Sequence, residues 1–250
     1  MAKRRKKTKK ATLLIDGDIL LYSICSATEY VARFDEDTDV VFSNVSEALN
    51  LCDETINRWT EKLNAEFVVI GFTGKDNFRK TVYPEYKAHR KSCRKPCGYK
   101  VVKERMAALY PVKEEPTLEG DDIIGILQTE GSYQNSVIVS SDKDLNCIPG
   151  WLWNPDKDEE PRLITPGEAD RNWLMQVLTG DKTDGYPGLE GVGPVTAAKI
   201  LHEGTWAEVL SAYEARGYNQ DYALIQARCA RILRHGEYDW DTKEVKLWKP

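Results

Sequence analysis

The run Glu119-Gly120-Asp121-Asp122 puts three carboxylates into four residues, and their mutual repulsion is costly unless a cation compensates it. The run opens an apolar helical pattern (Leu118, Ile123, Ile124, Ile126, Leu127), and helical geometry sets Glu119 and Asp122 on one face with Asp121 to the side. Three more acidic groups stand at the ends of predicted elements. Asp142 and Asp144 follow the apolar strand Ser136–Ser140, Asp181 and Asp184 lie in a Gly-rich loop, and Asp16 ends the strand Thr12–Ile15. Oxygen ligands with no matching His or Cys set suit hard cations, so Mg²⁺ or Mn²⁺ is favoured over zinc. Any single cluster also reads as solvated loop acids or helix N-terminal charges; the metal reading rests on four of them together.

Charge is segregated along the chain. The net charge of the 250 residues is −5, but with the seven basic residues of Lys3–Lys10 set aside it is −12. Residues 1–10 read as a basic, low-complexity, disordered tail. From Lys75 to Arg105 eleven Lys and Arg face three acids, a local +8 between the first acidic cluster and the second. Such a stretch can hold a polyanion while metals neutralise the acids, so net acidity does not argue against nucleic acid. No apolar run approaches the roughly 20 residues a membrane helix needs, and the N-terminus lacks the apolar core of a secretory signal, so a cytoplasmic protein without a membrane partner is expected. The six scattered cysteines are read as reduced thiols, since Cys93 and Cys97 have no second pair to complete a zinc site.

The elements that must carry these groups alternate. Strands at Thr12–Ile15, Glu66–Thr73 and Ser136–Ser140 alternate with helical patterns, which implies a parallel sheet with active groups at its C-terminal edge. Asp18 reads as an N-cap for a helix Ile19–Ala27, Thr28–Asp39 as a loop, and Ser43 or Ser46 as the start of an amphipathic helix reaching Leu63. Phe78-Arg79 and Tyr83–Arg90 interleave basic residues with aromatics; a helix would point Lys87 and Arg90 the same way, and Tyr83 and Tyr86 offer planar faces for bases. Tyr99–Tyr110 looks helical and Pro111–Pro116 reads as a linker. Trp151–Trp153 and Arg162–Thr165 suggest a two-stranded excursion, and Thr165-Pro166-Gly167-Glu168 is a capping box. Gly191 and Gly193 precede a Pro194-started helix with Thr196 and Lys199, a loop that lets backbone groups approach a phosphate. Residues 205–235 look helical, and Glu244–Trp248 reads as a terminal strand. One compact body is expected: a core of residues 11–165 including an arch over about 75–105, and a C-terminal region 166–250 packed on it.

Taken in order, Ile15-Asp16-Gly17, Phe78-Arg79 with Tyr86-Lys87 and Arg90, Leu118–Asp122, Ser141–Asp144, and Gly180–Asp184 with Gly191–Gly193 resemble the 5′ nucleases, the PIN-like α/β family of flap endonucleases and 5′→3′ exonucleases. The similarity runs from about Leu13 to the C-terminus. It implies a mostly parallel central sheet flanked by helices, with a helical arch holding Tyr86, Lys87 and Arg90 and a helix–two-turn–helix element at Gly191–Lys199 that binds DNA and often K⁺. It implies two-metal hydrolysis with Asp16, Glu119, Asp121, Asp122, Asp142, Asp144, Asp181 and Asp184 as metal-binding acids. Lys87, Arg90, Arg79 and Tyr86 are the expected catalytic and positioning groups. Double-stranded DNA with 5′ ends, flaps or nicks is the implied substrate, with RNA/DNA hybrid beside it.

One position departs from the family pattern. An acid usually precedes the Phe-Arg pair, where this chain has Gly74; Asp76 is two residues late and either takes over that role or leaves it unfilled. A branched-DNA-binding protein that no longer cuts, and a PIN-type ribonuclease, are the rival readings.

Overall fold

The computed structural model describes residues 10–133 and 135–250, so the expected basic tail lies outside the described residues except for Lys10, which pairs with Glu66 at 3.8 Å. The strands are β1 (Ala11–Asp16), β2 (Glu29–Arg33), β3 (Asp39–Ser43), β4 (Ala65–Thr73), β5 (Val112–Glu115), β6 (Ser136–Val139), β7 (Gly150–Trp153), β8 (Arg162–Ile164), β9 (Tyr238–Asp239) and β10 (Glu244–Val245). Six of them form one sheet in the order β5-β4-β1-β6-β7-β8, parallel except for β8. Leu13, Leu14 and Ile15 of central β1 are fully buried, because a strand covered on both faces needs an unbroken apolar run rather than alternation.

The helices are α1 (Gly17–Ala27), α2 (Val45–Lys62), α3 (Arg79–Val82), α4 (Tyr99–Leu109), α5 (Gly120–Glu130), α6 (Pro166–Thr179), α7 (Pro194–Ile200), α8 (Trp206–Glu214) and α9 (Gln220–Ala230). On one face of the sheet Leu21, Cys52, Ile56, Val102 and Met106 of α1, α2 and α4 pack against Leu13, Ile15, Ile70 and Phe72. On the other, Ile123, Ile124 and Leu127 of α5 pack against Leu14, Val69 and Ile138, joined by Ile232, Leu233 and Tyr238 from the end of the chain. A third cluster links α6 to α9, and Tyr86 enters it from the basic segment.

Several expectations are corrected. Thr28–Asp39 is no loop: β2 and β3 pair as a hairpin in which Tyr30 faces Phe42 with ring centroids 5.5 Å apart and Val31 faces Val41. These cross-strand pairs stabilise it although its turn is acidic. Pro111–Pro116 is not a bare linker but carries β5, whose polar residues an edge strand tolerates. β7 and β8 extend the main sheet through β6 instead of standing apart. Residues 205–235 break into α8 and α9 at Gly217, whose φ of +82° suits glycine. The capping box at Thr165 and Glu168 forms as expected. Ahead of α4, which begins at Tyr99, the arch segment holds no long helix: α3 and a 3₁₀ helix, Ala88–Ser92, are joined by turns, with Lys87 at φ 53°.

Candidate active site

The parallel sheet brings its loops to one edge, and there a cleft of about 640 Å³ is lined by Asp16, Asp18, Glu119, Asp121, Asp142, Asp144, Asp181 and Asp184. Each acid is placed by a local backbone device. Asp16 ends β1 and caps α1, accepting from the Ile19 amide (3.1 Å) and the Ser140 hydroxyl (2.7 Å). Glu119 is the N-cap of α5, and Asp121 sits in its first turn. Asp142 caps the 3₁₀ helix Lys143–Cys147 through the Asp144 amide (2.8 Å), and Asp144 accepts from Gln176 Nε2 (2.6 Å). Asp181 accepts from the Thr183 amide (2.7 Å).

Cations stand among these acids. Lys87 pairs with Glu119 and lies 3.3 Å from Asp184, Arg90 is 3.0 Å from Asp184, and Lys143 bridges Asp181 (3.2 Å) and Asp144 (3.7 Å). Lys75, Lys80, Arg94 and Lys95 line the same cleft. With these side chains on the carboxylate oxygens, no three Asp, Glu, His or Cys side chains among the described residues converge tightly enough to hold an ion as they stand.

The electrostatics divide the acids into two kinds. Burial, with the charges of Asp18 and Asp142, pushes Asp16 up to about 6 against its hydrogen bonds. Asp144 rises to about 6 through burial and Asp142, and burial with Asp16, Asp142 and Glu119 drives Asp121 well above the usual range. In Glu119 burial is outweighed by Lys87 and Arg79 together, which hold it at about 2. Oxygen-only donors that repel one another in this way fit a hard divalent cation.

Three expected site residues fall outside the cleft, and a fourth, Asp76, stands at its rim. Asp122 is fully buried and absent from the cleft: both its oxygens face Arg79 at 2.7 Å, and it also accepts from the amides of Leu233 (3.0 Å) and Glu119 (3.1 Å). Arg79 is 2% exposed, held by Asp122, Glu119 and the carbonyls of Cys229 and Arg231, so it touches no external phosphate. Tyr86 is 1% exposed and cannot stack on a base; it stacks on Tyr186 (6.3 Å), and its hydroxyl lies 2.9 Å from Glu119 and 2.8 Å from Asp184. Its single proton serves one carboxylate at a time. Asp76 is exposed at the rim of the cleft. At Gly74 a Cβ would meet the Glu115 carbonyl oxygen at 1.9 Å, so this loop cannot carry an acid there.

Residues 11–150 match the family model described as the 5′-3′ exonuclease, N-terminal resolvase-like domain. The chain belongs to the 5′-3′ exonuclease family. The exonuclease of Escherichia phage T7 is 31% identical, over 96% of this chain and 94% of that protein, and the exodeoxyribonuclease of Enterobacteria phage T3 is 30% identical over 96% and 93%. A bacteriophage T5 flap endonuclease, solved in complex with DNA and metal ions, superposes with a TM-score of 0.65 at 15% identity, covering 87% of this chain and 88% of that one. The expected PIN-like α/β fold is therefore the fold observed, in a family of DNA hydrolases.

Within this family member, Gly191, Gly193, Thr196 and Lys199 are exposed and lie outside the cleft, with open space around both glycines. Sequence reasoning assigned no chemistry to Lys143, Ser140 or Asp18. Lys143 was signalled by its place between two acids, and Ser140 by its place at the end of an apolar strand. Asp18, read as a cap, instead accepts from the Thr73 amide (2.7 Å) and the Tyr99 hydroxyl (2.5 Å), partners 55 and 81 residues away that no local pattern announces.

Proposed function

We propose that the protein is a metal-dependent 5′→3′ exonuclease and structure-specific 5′ nuclease that hydrolyses DNA from 5′ ends, flaps or nicks, acting in the cytoplasm of a phage-infected cell. The observation that carries the reading is the cleft itself, with nine acids, Asp76 at the rim included, ringed by Lys and Arg, in a chain aligned almost end to end with phage exonucleases. Asp16, Asp121, Asp142 and Asp144, with Glu119, Asp181 and Asp184, would hold Mg²⁺ or Mn²⁺. Bound divalent ions supply a water nucleophile at neutral pH and stabilise the departing oxygen.

The chain's own groups do the rest. Lys87 and Arg90 give up part of their contact with Glu119 and Asp184 to neutralise the scissile phosphate, and Tyr86, lying between the two acids, fixes one of them by donating its proton to it. Arg79 acts from inside, fixing α5 and hence Glu119 and Asp121. In this reading residues 11–165 are the nuclease core, and the 166–250 region grips duplex backbone through Gly191, Gly193, Thr196 and Lys199, with K⁺ at that loop. RNA paired to DNA is a further substrate of the same cleft.

The test is cleavage of 5′-labelled flap, nicked and RNA-primed duplexes with and without Mg²⁺. Metal-dependent release of 5′ products is expected. Binding without cutting would replace this reading with that of a branched-DNA-binding protein, and cutting confined to RNA with that of a ribonuclease.

A further inference from the structure

The 5′-nuclease reading leaves one acid of the cleft without a task. Asp18 sits one residue into α1, half-buried, and lines the same cleft as Asp16, Glu119 and Asp121. Its position is fixed from three sides. Oδ2 accepts from the amide of Thr73 at the end of β4, Oδ1 accepts from the Tyr99 hydroxyl at the start of α4, and the first residue of α5 abuts it. A Cβ at Gly120 would stand 3.1 Å from Asp18 Oδ2, so the glycine is what lets the helix bearing Glu119 and Asp121 close onto this carboxylate. Thr73 completes the link, since its hydroxyl accepts from the Gly120 amide at 3.0 Å.

The loop after β4 shows why a carboxylate from elsewhere is needed. Gly74 cannot carry a side chain against the Glu115 carbonyl, and its amide is spent on Leu118 O (2.9 Å). Asp76 follows, but it is exposed and its loop is held through the backbone, by the Asp76 amide on Pro116 O. The β4 end of the cleft thus receives its negative charge from α1, placed on the very Thr73 amide that precedes Gly74.

We propose that Asp18 is a positioning residue of the metal site, an outer carboxylate that accepts hydrogen bonds from ion-bound water and adds its charge to the ion held by Asp16, Glu119 and Asp121. Mg²⁺ keeps several of its waters, so such a group contributes without direct ligation. Each Asp18 oxygen makes one bond to the protein and so keeps a lone pair for water. That its charge reaches the site is consistent with Asp18 being among the charges that push Asp16 up. The inference rests on the 5′-nuclease reading and on no established role for this residue.

The experiment is a calorimetric titration of Mn²⁺ and Mg²⁺ into DNA-free protein for the native chain, Asp18→Asn and Tyr99→Phe, beside their melting temperatures. Asp18→Asn should weaken divalent-ion affinity by roughly tenfold, the lower end of what loss of an outer-shell partner costs, while Tyr99→Phe, which keeps the carboxylate, should shift it less than about threefold. A purely structural carboxylate would make both variants melt lower and leave both affinities unchanged, which overturns the proposal. Should Asp18→Asn fail to fold, Asp18→Glu takes its place; it retains charge but displaces the carboxylate, and an affinity equal to the native one overturns the proposal. If the native chain itself binds neither ion, the metal-dependent reading of the whole cleft falls, and this inference with it.

Discussion

Asp121 and Asp122 are neighbours in sequence and opposite in circumstance. Asp122 is fully buried against Arg79 and two backbone amides, so its charge is compensated within the protein whatever the solution contains. Asp121 turns toward Asp16 and Asp142, and like charges with burial drive its proton affinity up. One carboxylate holds the helix and the other waits for a cation. What separates them is a single step of helix rotation, about 100°, which carries one side chain into the core and leaves the next at the sheet edge. The lesson extends to the rest of the cleft: acids paired inside are structure, and acids left facing one another are available for ions.

The sharpest way to break this comparison is to neutralise one acid of each kind. Asp142→Asn should abolish hydrolysis, with residual activity below a few per cent, while DNA binding and melting temperature stay near native, because Asp142 caps a short 3₁₀ helix and faces the cleft. Activity above that level would remove Asp142 from the ion-holding set. Asp122→Asn should do the reverse in origin: it breaks the bidentate buried pair and leaves Arg79, at 2% exposure, with only the 3.2 Å contact to Glu119 as a charge partner, a loss approaching the roughly 3 to 5 kcal/mol of a broken buried pair. Denaturant unfolding measures it. A variant with native stability would show that the buried pair contributes nothing.

Lys87 and Lys199 set the same contrast among cations. Lys87 is already drawn into the cleft by Glu119 and Asp184, whereas Lys199 is exposed on α7, outside it. Lys87→Ala should slow single-turnover cleavage far more than it weakens binding. Lys199→Ala should mainly weaken binding and reduce the slope of log affinity against log salt by about one, the share of a single phosphate contact. Equal effects of the two on the chemical step would dissolve the distinction.

A smaller effect separates the two kinds of acid by pH. Asp16 and Asp144, both raised to about 6 with burial as the leading cause, bind protons more tightly folded than unfolded, so their penalty is full above about pH 7 and is relieved as pH falls toward 5. Glu119, held at about 2, contributes stability that is present above its unfolded value and is lost as pH falls from about 4.5 toward 2. The ion-free protein should therefore melt higher near pH 5.5 than at pH 7.5, by roughly 2 to 4 °C for each 1 kcal/mol relieved. Mg²⁺ added at pH 7.5 should shrink the difference. A melting temperature that falls steadily from pH 7.5 to 5.5 without metal would contradict the raised proton affinity of Asp16 and Asp144.

How far the sequence carried the argument depended on whether a signal was local. The capping box at Thr165 and the acids at the ends of β1 and β6 are written in short windows and land where those windows place them, and the central strands fall within a residue of their expected bounds, whereas the strand expected at Glu244–Trp248 stops at Val245. Helical spacing sets Asp122 on one face with Glu119 and the resemblance makes it a metal-binding acid; the pairing that removes it comes from Arg79, 43 residues away, and from Leu233, 111 away. Tyr86 likewise reads as an exposed ring until the α6 to α9 cluster closes over it. The β2–β3 hairpin was hidden because its pairs lie across an acidic turn, where composition resembles a loop.

Asp76 gives the weakest expected effect and tests whether proximity to the cleft is enough. Its carboxylate is exposed among Lys75, Lys80 and Arg94 on the rim, in solvent where charges are screened within about 10 Å. Arg79, three residues on, is turned inward onto Asp122 and Glu119, so it offers Asp76 no surface ion pair. The loop does not depend on the side chain either, because the backbone carries it through the Asp76 amide to Pro116 O and the Gly74 amide to Leu118 O. Asp76→Ala should therefore change the Mg²⁺ concentration for half-maximal rate by less than about twofold, within the range of exposed charges. A larger rise would mean that the rim acid moves in when ions and DNA bind, and the division between waiting acids and surface acids would have to be redrawn around this loop.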